Sequence, residues 1–352
     1  MFTDFFKDAT FKPAHAITPV YLFKLFNQSG LTVYVTNYGA RLVGIFAPSK
    51  NGKFKDIILG YPALNTYITD PFYMGAAIGR YANRIAYGKF NLNNQTFQLT
   101  INSGKHHLHG GWQGFHNVVW NVVESSDSHV VMEHFSPAGS ENYPGNLRTR
   151  LLFSLSDNND LQVQFKAETD QSTPINFTMH PYFNLTGAGS VTCLQHLLYI
   201  NADTYIPVSS KLIPIGTPEV VSGTPFDFTK EKKIGKEINA FNSQLKFGNG
   251  YDHSFVLNTQ CNSNVLAARV VDSVSGRVLE LFTNQPALQL YTGNFLNNQV
   301  VGKGNHIYNK HSAFCLEPQK YPNSPNEPDF PDTVIHPNQE YEWLCRYRFS
   351  VM

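Results

Sequence analysis

Leu151-Leu152-Phe153-Ser154-Leu155-Ser156-Asp157-Asn158-Asn159-Asp160-Leu161-Gln162-Val163-Gln164-Phe165 is the stretch that decides the architecture. Two apolar runs flank a cluster of Asn and Asp, and the second run alternates apolar and polar with the period of a half-buried strand. Asn and Asp tolerate positive φ and bond their own backbone, so Asp157–Asp160 reads as the turn of an antiparallel hairpin. The signal recurs on both sides. Asn51-Gly52 lies between Phe46 and Ile57-Ile58-Leu59, Asn93-Asn94 separates Lys89–Leu92 from Thr96–Thr100, and Ser275-Gly276 divides Ala268–Val271 from Val278–Phe282. Residues 31–37 alternate as a strand, which Tyr38-Gly39 turns into a second at Arg41–Ala47. Convincing helical pattern is confined to Pro62–Tyr67 and Thr229–Ala240, the latter with Thr229 as its cap. So many alternating strands bury their apolar faces by packing sheet on sheet. The expected fold is all-β, a large antiparallel β-sandwich, and no repeat, linker or composition break divides residues 1–352 into more than one domain.

Composition narrows the partners. The formal charge is +1 and charged residues make up 15%, against about 25% in an ordinary globular chain. With no basic tract, neither nucleic acid nor an anionic membrane is expected, and the ligand is expected to be uncharged. Aromatic residues at 14% suit a β-rich fold and can stack on sugar faces. Cys193, Cys261, Cys315 and Cys345 are scattered without a C-x-x-C pair, which points to reduced thiols in the cytoplasm. Met1–Asp8 carries acids where a secretory signal needs a basic start, and no run is long enough to cross a bilayer.

Several stretches can carry chemistry. Ile175-Asn176-Phe177-Thr178-Met179-His180 alternates as a strand, with His180 on its polar side, and Pro181 stops the ladder there. Phe314-Cys315-Leu316-Glu317-Pro318 repeats the device, delivering a carboxylate at the end of an apolar strand before a proline. Imidazole titrates nearest neutral pH, so the two form a candidate acid/base pair. Arg80 and Arg84, with Asn83 between them, offer forked donors for hydroxyl or carboxylate oxygens. His106-His107-Leu108-His109-Gly110-Gly111-Trp112 places His107 and His109 at the spacing of a metal pair, but Trp112 and Gln113 stand where a third, carboxylate ligand belongs. Its glycines point to a close backbone approach of a ligand or a sharp bend, and Trp112 and Phe115 to core packing. Asp252 opens an apolar strand after a Gly-Asn-Gly turn, and Gln289 sits on a strand entering Thr292-Gly293. No G-x-S-x-G elbow, Rossmann fingerprint or P-loop is present, so neither a serine nucleophile nor a nucleotide cofactor is expected.

Asn83-Arg84-Ile85, Leu108-His109-Gly110-Gly111, Tyr143-Pro144-Gly145, His180-Pro181-Tyr182-Phe183-Asn184-Leu185, Asp252-His253-Ser254-Phe255, Tyr291-Thr292-Gly293-Asn294-Phe295 and Glu317-Pro318-Gln319 occur in the order found in aldose 1-epimerases. The chain resembles that family from about Val33 to its C-terminal strand. The resemblance implies a galactose mutarotase-like supersandwich with a sugar cleft on one sheet, interconverting the anomers of a free aldohexose such as galactose or glucose without cofactor or metal. It also implies roles. His180 is the acid that protonates the ring oxygen and Glu317 the base that deprotonates the anomeric hydroxyl. Asn83, Arg84, His109, Asp252 and Gln289 hold sugar hydroxyls or orient the pair. One departure is Pro322-Asn323, where the family usually has Pro-Asp, which puts local support of the Glu317 loop in question. The pair is expected to face across a gap one pyranose wide, in a monomer or weak homodimer. Three alternatives stay open: a hexose-6-phosphate epimerase with extra cations at the cleft rim, a non-catalytic sugar-binding sandwich, and a metal-dependent enzyme sensitive to chelators.

Overall fold

The computed structural model describes residues 10, 11 and 18–352. The reading of Met1–Asp8 lies outside them. Every strand-to-strand ladder is antiparallel. The deciding hairpin pairs Leu147–Leu155 with Asp160–Thr169, and Asn159 takes the positive φ of 60° that its turn requires. Asn93 and Asn94, at φ of 51° and 61°, turn the next hairpin in the same way.

That first hairpin lies within a nine-stranded sheet whose order is Asn121–Ser125, His129–Ser136, Leu147–Leu155, Asp160–Thr169, Tyr341–Val351, Arg277–Thr283, Leu266–Val271, Leu197–Ile200 and Lys232–Lys233. The C-terminal strand therefore sits in its middle. A five-stranded sheet runs Glu219–Val220, Thr204–Ile206, Asp252–Val256, Ala287–Tyr291 and Cys315–Gln319, and a four-stranded sheet joins Leu22–Phe26 to Phe54–Asp56. One continuous core takes side chains from all three, among them Val33, Phe165, Leu288, Leu316 and Trp343. Trp343 is fully buried, and its indole N–H donates to the Pro318 carbonyl at 2.8 Å, tying the large sheet to the strand that carries Glu317.

The period of two does the positioning. In the five-stranded sheet Phe255, Leu288, Leu290 and Leu316 enter the core. The alternate positions Asp252, Gln289, Tyr291, Cys315 and Glu317 share the opposite face, with Gln289 directly opposite Glu317 and Tyr291 opposite Cys315. Ile175, Phe177 and Met179 likewise point into the core, leaving Asn176, Thr178 and His180 on the other side.

Three expectations are corrected. Helix does form after Pro62, at Leu64–Ile68, but Thr229–Ala240 is not helical. Lys232–Lys233 is captured as the edge strand of the large sheet, a 3-10 turn follows at Ile234–Lys236, and the Thr229 hydroxyl donates to Asp227 instead of capping. The sheet edge and burial of Ile234 outweigh local propensity. A short helix at Ser243–Gly248 escaped the pattern reading, although Asn242 caps it by accepting from the Gln244 and Leu245 amides. Trp112 is 59% exposed, whereas Phe115 packs as expected.

Candidate active site

The polar face of the five-stranded sheet, the strand ending at His180 and the loops around Tyr73 and His109 enclose a cleft of about 310 Å³. It is lined by all seven residues singled out in sequence: Asn83, Arg84, His109, His180, Asp252, Gln289 and Glu317. A larger hollow of about 480 Å³ lies over the strands of the nine-stranded sheet, where Arg150 pairs with Glu133 and Lys166 with Glu340. The cleft is where unsatisfied acid and base groups converge.

His180 Nε2 stands 3.5 Å from Glu317 Oε1, with both side chains nearly inaccessible. The expectation of a gap one pyranose wide is corrected: the two groups stand side by side. Chemistry accounts for the spacing, because the hydroxyl and ring oxygens they would serve are bonded to the same anomeric carbon. A charged pair should close to about 2.7–2.9 Å, so at 3.5 Å the two groups are not locked in an ion pair. Both proton affinities agree. Burial, and then the nearby Asp252 carboxylate, push Glu317 well above the usual carboxylate range against the opposing Arg84 guanidinium. Burial lowers His180 to about 4. Both shifts favour a proton on Glu317 over one on the imidazole. Glu317 Oε2 is buried without a partner, an acceptor waiting for a donor.

The flanking groups are oriented by fixed hydrogen bonds. Gln289 Nε2 donates to Asp252 Oδ1 at 2.7 Å, so the amide aims the carboxylate. Burial raises Asp252 above its ordinary value while Arg84 and Gln289 oppose the rise. Asn83 N–H donates to His109 Nδ1 at 3.2 Å, and His109 N–H donates to the Asn83 carbonyl at 3.2 Å. That reciprocal clamp puts the His109 proton on Nε2, which makes the ring a donor toward the cleft. His109 takes φ of 51°, followed by Gly110 at 83°, where a Cβ would lie 1.8 Å from the Gly79 carbonyl oxygen. Of the two readings of these glycines, the sharp bend is what forms: Gly110 and Gly111 both take positive φ, with Gly110 packed on the Gly79 carbonyl and Gly111 on the Glu141 side chain.

Among the described residues, His109, His180 and Glu317 form a cluster of metal-ligating type, their ligand atoms within 4.8 Å of one another. The hydrogen bonding does not suit a metal. With Nδ1 accepting from Asn83, His109 has no lone pair at Nε2 to offer a cation. His107, the other half of the sequence pair, is engaged at both nitrogens, by Thr100 O at 2.7 Å and Tyr143 Oη at 2.7 Å.

Arg80 is not a cleft residue. Its buried guanidinium donates to Ser136 and to the carbonyls of Pro137, Pro144 and Gly145, which explains the Tyr143-Pro144-Gly145 motif as its socket. Asn323 answers the question raised by its departure from the family pattern. Its N–H donates to Arg84 O and its Oδ1 accepts from Ala86 N–H, both at 2.8 Å, so the amide secures the Glu317 loop to the Arg84 strand. Sequence reading missed the aromatic wall. Tyr73 packs edge-on against His109 at 4.7 Å, Tyr182 stacks on His180 at 5.0 Å, and Tyr291 stacks on Phe295. Tyr182, Tyr291 and Phe295 stood inside quoted motifs; Tyr73 carries no signal beyond its place after Asp70-Pro71-Phe72. Asp70 fixes that loop by accepting from Arg41, Tyr61 and the amides of Phe72 and Met74.

Comparison with known proteins gives a consistent picture. The family model described as aldose 1-epimerase matches residues 21–348. Human galactose mutarotase is 40% identical over 321 residues, covering 91% of this chain and 92% of its own. The aldose 1-epimerase of Escherichia coli strain K12 is 35% identical over 333 residues, covering 94% and 95%. Among solved structures, an aldose epimerase homologue from C. elegans superposes with a TM-score of 0.88 at 28% identity, covering 95% of this chain and 99% of that one. Galactose 1-epimerase from Lactobacillus acidophilus does so with 0.84 at 29%, covering 97% and 98%.

Proposed function

The chain belongs to the aldose 1-epimerase family and is an isomerase that interconverts sugar anomers; we propose that it does so on free aldohexoses such as galactose and glucose, by one proton passing between Glu317, the sugar and His180. The observation that carries this reading is the buried carboxyl–imidazole pair 3.5 Å apart with an open acceptor on Glu317. A bound sugar hydroxyl donating to Glu317 Oε2 favours the carboxylate, and a ring oxygen at His180 Nε2 favours the imidazolium. Sugar entry therefore moves the proton from Glu317 to His180. Glu317 then removes the proton from the anomeric hydroxyl while His180 protonates the ring oxygen, and the ring opens. Rotation of the aldehyde presents its other face, and the same two transfers run backward to close it. No electrons move.

The remaining groups hold the ring. His109 Nε2–H and the Arg84 guanidinium donate, Asp252 accepts, and Gln289 and Asn83 orient them. Arg84 is the single guanidinium or ammonium group among the described side chains lining the cleft, and it faces Asp252 and Glu317. That supports an uncharged sugar over a phosphorylated one. All seven polar groups come from distant parts of one chain, which supports one sandwich domain acting as a monomer or weak homodimer. Four unpaired cysteines support a cytoplasmic setting, and among the described residues no helix is long and apolar enough to cross a membrane.

Polarimetry on freshly dissolved α-D-galactose and α-D-glucose tests the assignment. Glu317→Gln and His180→Asn are each expected to slow the enzymatic rate by about 10²- to 10⁴-fold, the usual contribution of a positioned proton-transfer group, with unchanged circular dichroism. Rates near that of the unmodified protein in either variant would refute it.

A further inference from the structure

His180 can work only if its two ring nitrogens keep separate duties. Nε2 must lose and regain a proton, so in the neutral ring it must hold a lone pair and Nδ1 must carry the hydrogen. The same tautomer turns the Nε2 lone pair toward Glu317 Oε1, 3.5 Å away. The group beside Nδ1 is Cys315 Sγ, at 3.6 Å. We propose that Cys315 is a positioning residue for the proton transfer: its sulfur accepts Nδ1–H of His180 and so reserves Nε2 for the sugar and Glu317.

This proposal rests on His180 being the proton carrier. The sheet explains how the cysteine arrives: Cys315 lies two residues before Glu317 on one strand, so the two side chains emerge on the same face, one beneath each end of the imidazole. Cys315 is fully buried, on the strand that also faces Tyr291. Burial, and then the nearby Glu317, push the thiol well above its ordinary value, so the sulfur stays neutral. Neutrality matters. A carboxylate beside Nδ1 would hold the imidazolium and raise its hold on the proton, whereas a thiol accepts weakly in both states of the ring. The Nδ1–H contact is therefore the same before and after each transfer, and the proton returns to Glu317 without a counter-charge to leave behind. Among the side chains around the ring, Tyr73, Tyr182, Tyr291 and His109 pack through ring faces and edges; the backbone of His180 itself also bonds the ring, so Cys315 supplements that local contact as the end-on side chain.

The test is nitrogen NMR on histidine-labelled protein combined with kinetics. In the unmodified free protein at neutral pH, His180 is expected as the Nδ1–H tautomer; in Cys315→Ala the ring is expected to populate Nε2–H. Loss of one weak hydrogen bond corresponds to a fall in kcat of about five- to tenfold with KM changed less than about twofold. Cys315→Ser, which keeps an acceptor on the same carbon, is expected to recover part of the rate. An Nε2–H tautomer in the unmodified protein overturns the proposal, as does an unchanged tautomer and kcat in Cys315→Ala. Should Cys315→Ala fail to fold, the unmodified tautomer and Cys315→Ser still decide. Because the tautomer is read in the resting protein, failure here is separable from failure of the parent reading, which Glu317→Gln and His180→Asn test by activity.

Discussion

Replacing Glu317 by Gln should stabilise the protein while disabling it, and the size of the gain should grow with pH. Glu317 is 2% exposed, one carboxyl oxygen has no partner, and the Asp252 carboxylate lies close by. Its proton affinity in the folded state is therefore well above the ordinary value of 4.5 that the unfolded chain retains. Below pH 4.5 both states are protonated and the site costs nothing on this account. As pH rises from there, the unfolded carboxyl ionises into water while the folded one stays protonated, so stability is lost progressively until the folded group also ionises. The loss is about 1.4 kcal/mol per pH unit across that window. Glutamine does not titrate. An unfolding entropy of about 2.1 cal/mol/K per residue over 352 residues gives about 0.7 kcal/mol/K, so the melting difference should widen by about 2 °C per pH unit. Differential scanning calorimetry of both proteins at pH 5, 6, 7 and 8 measures it, and His180, present in both, largely cancels. A constant offset at every pH would show that Glu317 titrates as an ordinary carboxylate, and the one-proton pair would go with it.

Asp70→Asn leaves the Arg41 guanidinium buried without its carboxylate partner at 2.7 Å, with both side chains inaccessible; an expected cost of about 3–5 kcal/mol should appear in urea midpoints, and a loss under about 1 kcal/mol contradicts the network. Gly110→Ala drives a Cβ into the Gly79 carbonyl at φ of 83° and so displaces His109; kcat/KM is expected to fall about tenfold or more, and an unaltered value would remove His109 from the site. Burial lowers His116 and His253 to about 3 and His134 and His196 to about 4, all below the ordinary 6.5. Their folded affinities are depressed, so the stability they allow is present above pH 6.5 and declines as pH falls toward 4, by up to about 1.4 kcal/mol per histidine per unit. Urea midpoints at pH 7, 6 and 5 should drop steeply; a flat series rejects the neutral burial of these rings.

Features set by neighbours in sequence were legible, and features set by distant partners were not. Asn93-Asn94 announces its hairpin because the φ values it needs are local. His180 was visible because an apolar strand ending in an ionisable residue and a proline is itself a local pattern; the same reading of Glu317 is corrected, since its strand runs on through Pro318 to Gln319, with Pro318 opposite Leu288. Arg80 and Arg84 look alike in sequence; only the carbonyls of Pro144 and Gly145, which claim Arg80, tell them apart. The Thr229–Ala240 stretch misleads for the same reason, since the strand that captures Lys232–Lys233 lies at Leu197–Leu198. Nor can alternation reveal how far apart two strand ends stand, which is why the pair was expected across a sugar instead of beside it.

In the proposed mechanism, that short separation makes one proton sufficient. In water an imidazole, at 6.5, outcompetes a carboxylate, at 4.5, and the proton would rest on His180. Burial disfavours both charged forms, raising Glu317 and lowering His180, and so works against that order. In the proposed mechanism a sugar partly restores it by donating to Glu317 and accepting from His180. The two placements of the proton are thereby brought close in energy, which a reaction running both ways between similar anomers needs: neither group can hold the proton so firmly that the reverse step stalls. A strong counter-ion on either side would break that balance. The structure places Arg84 among opposing carboxylates and a neutral thiol behind His180, leaving the pair without a dominant partner.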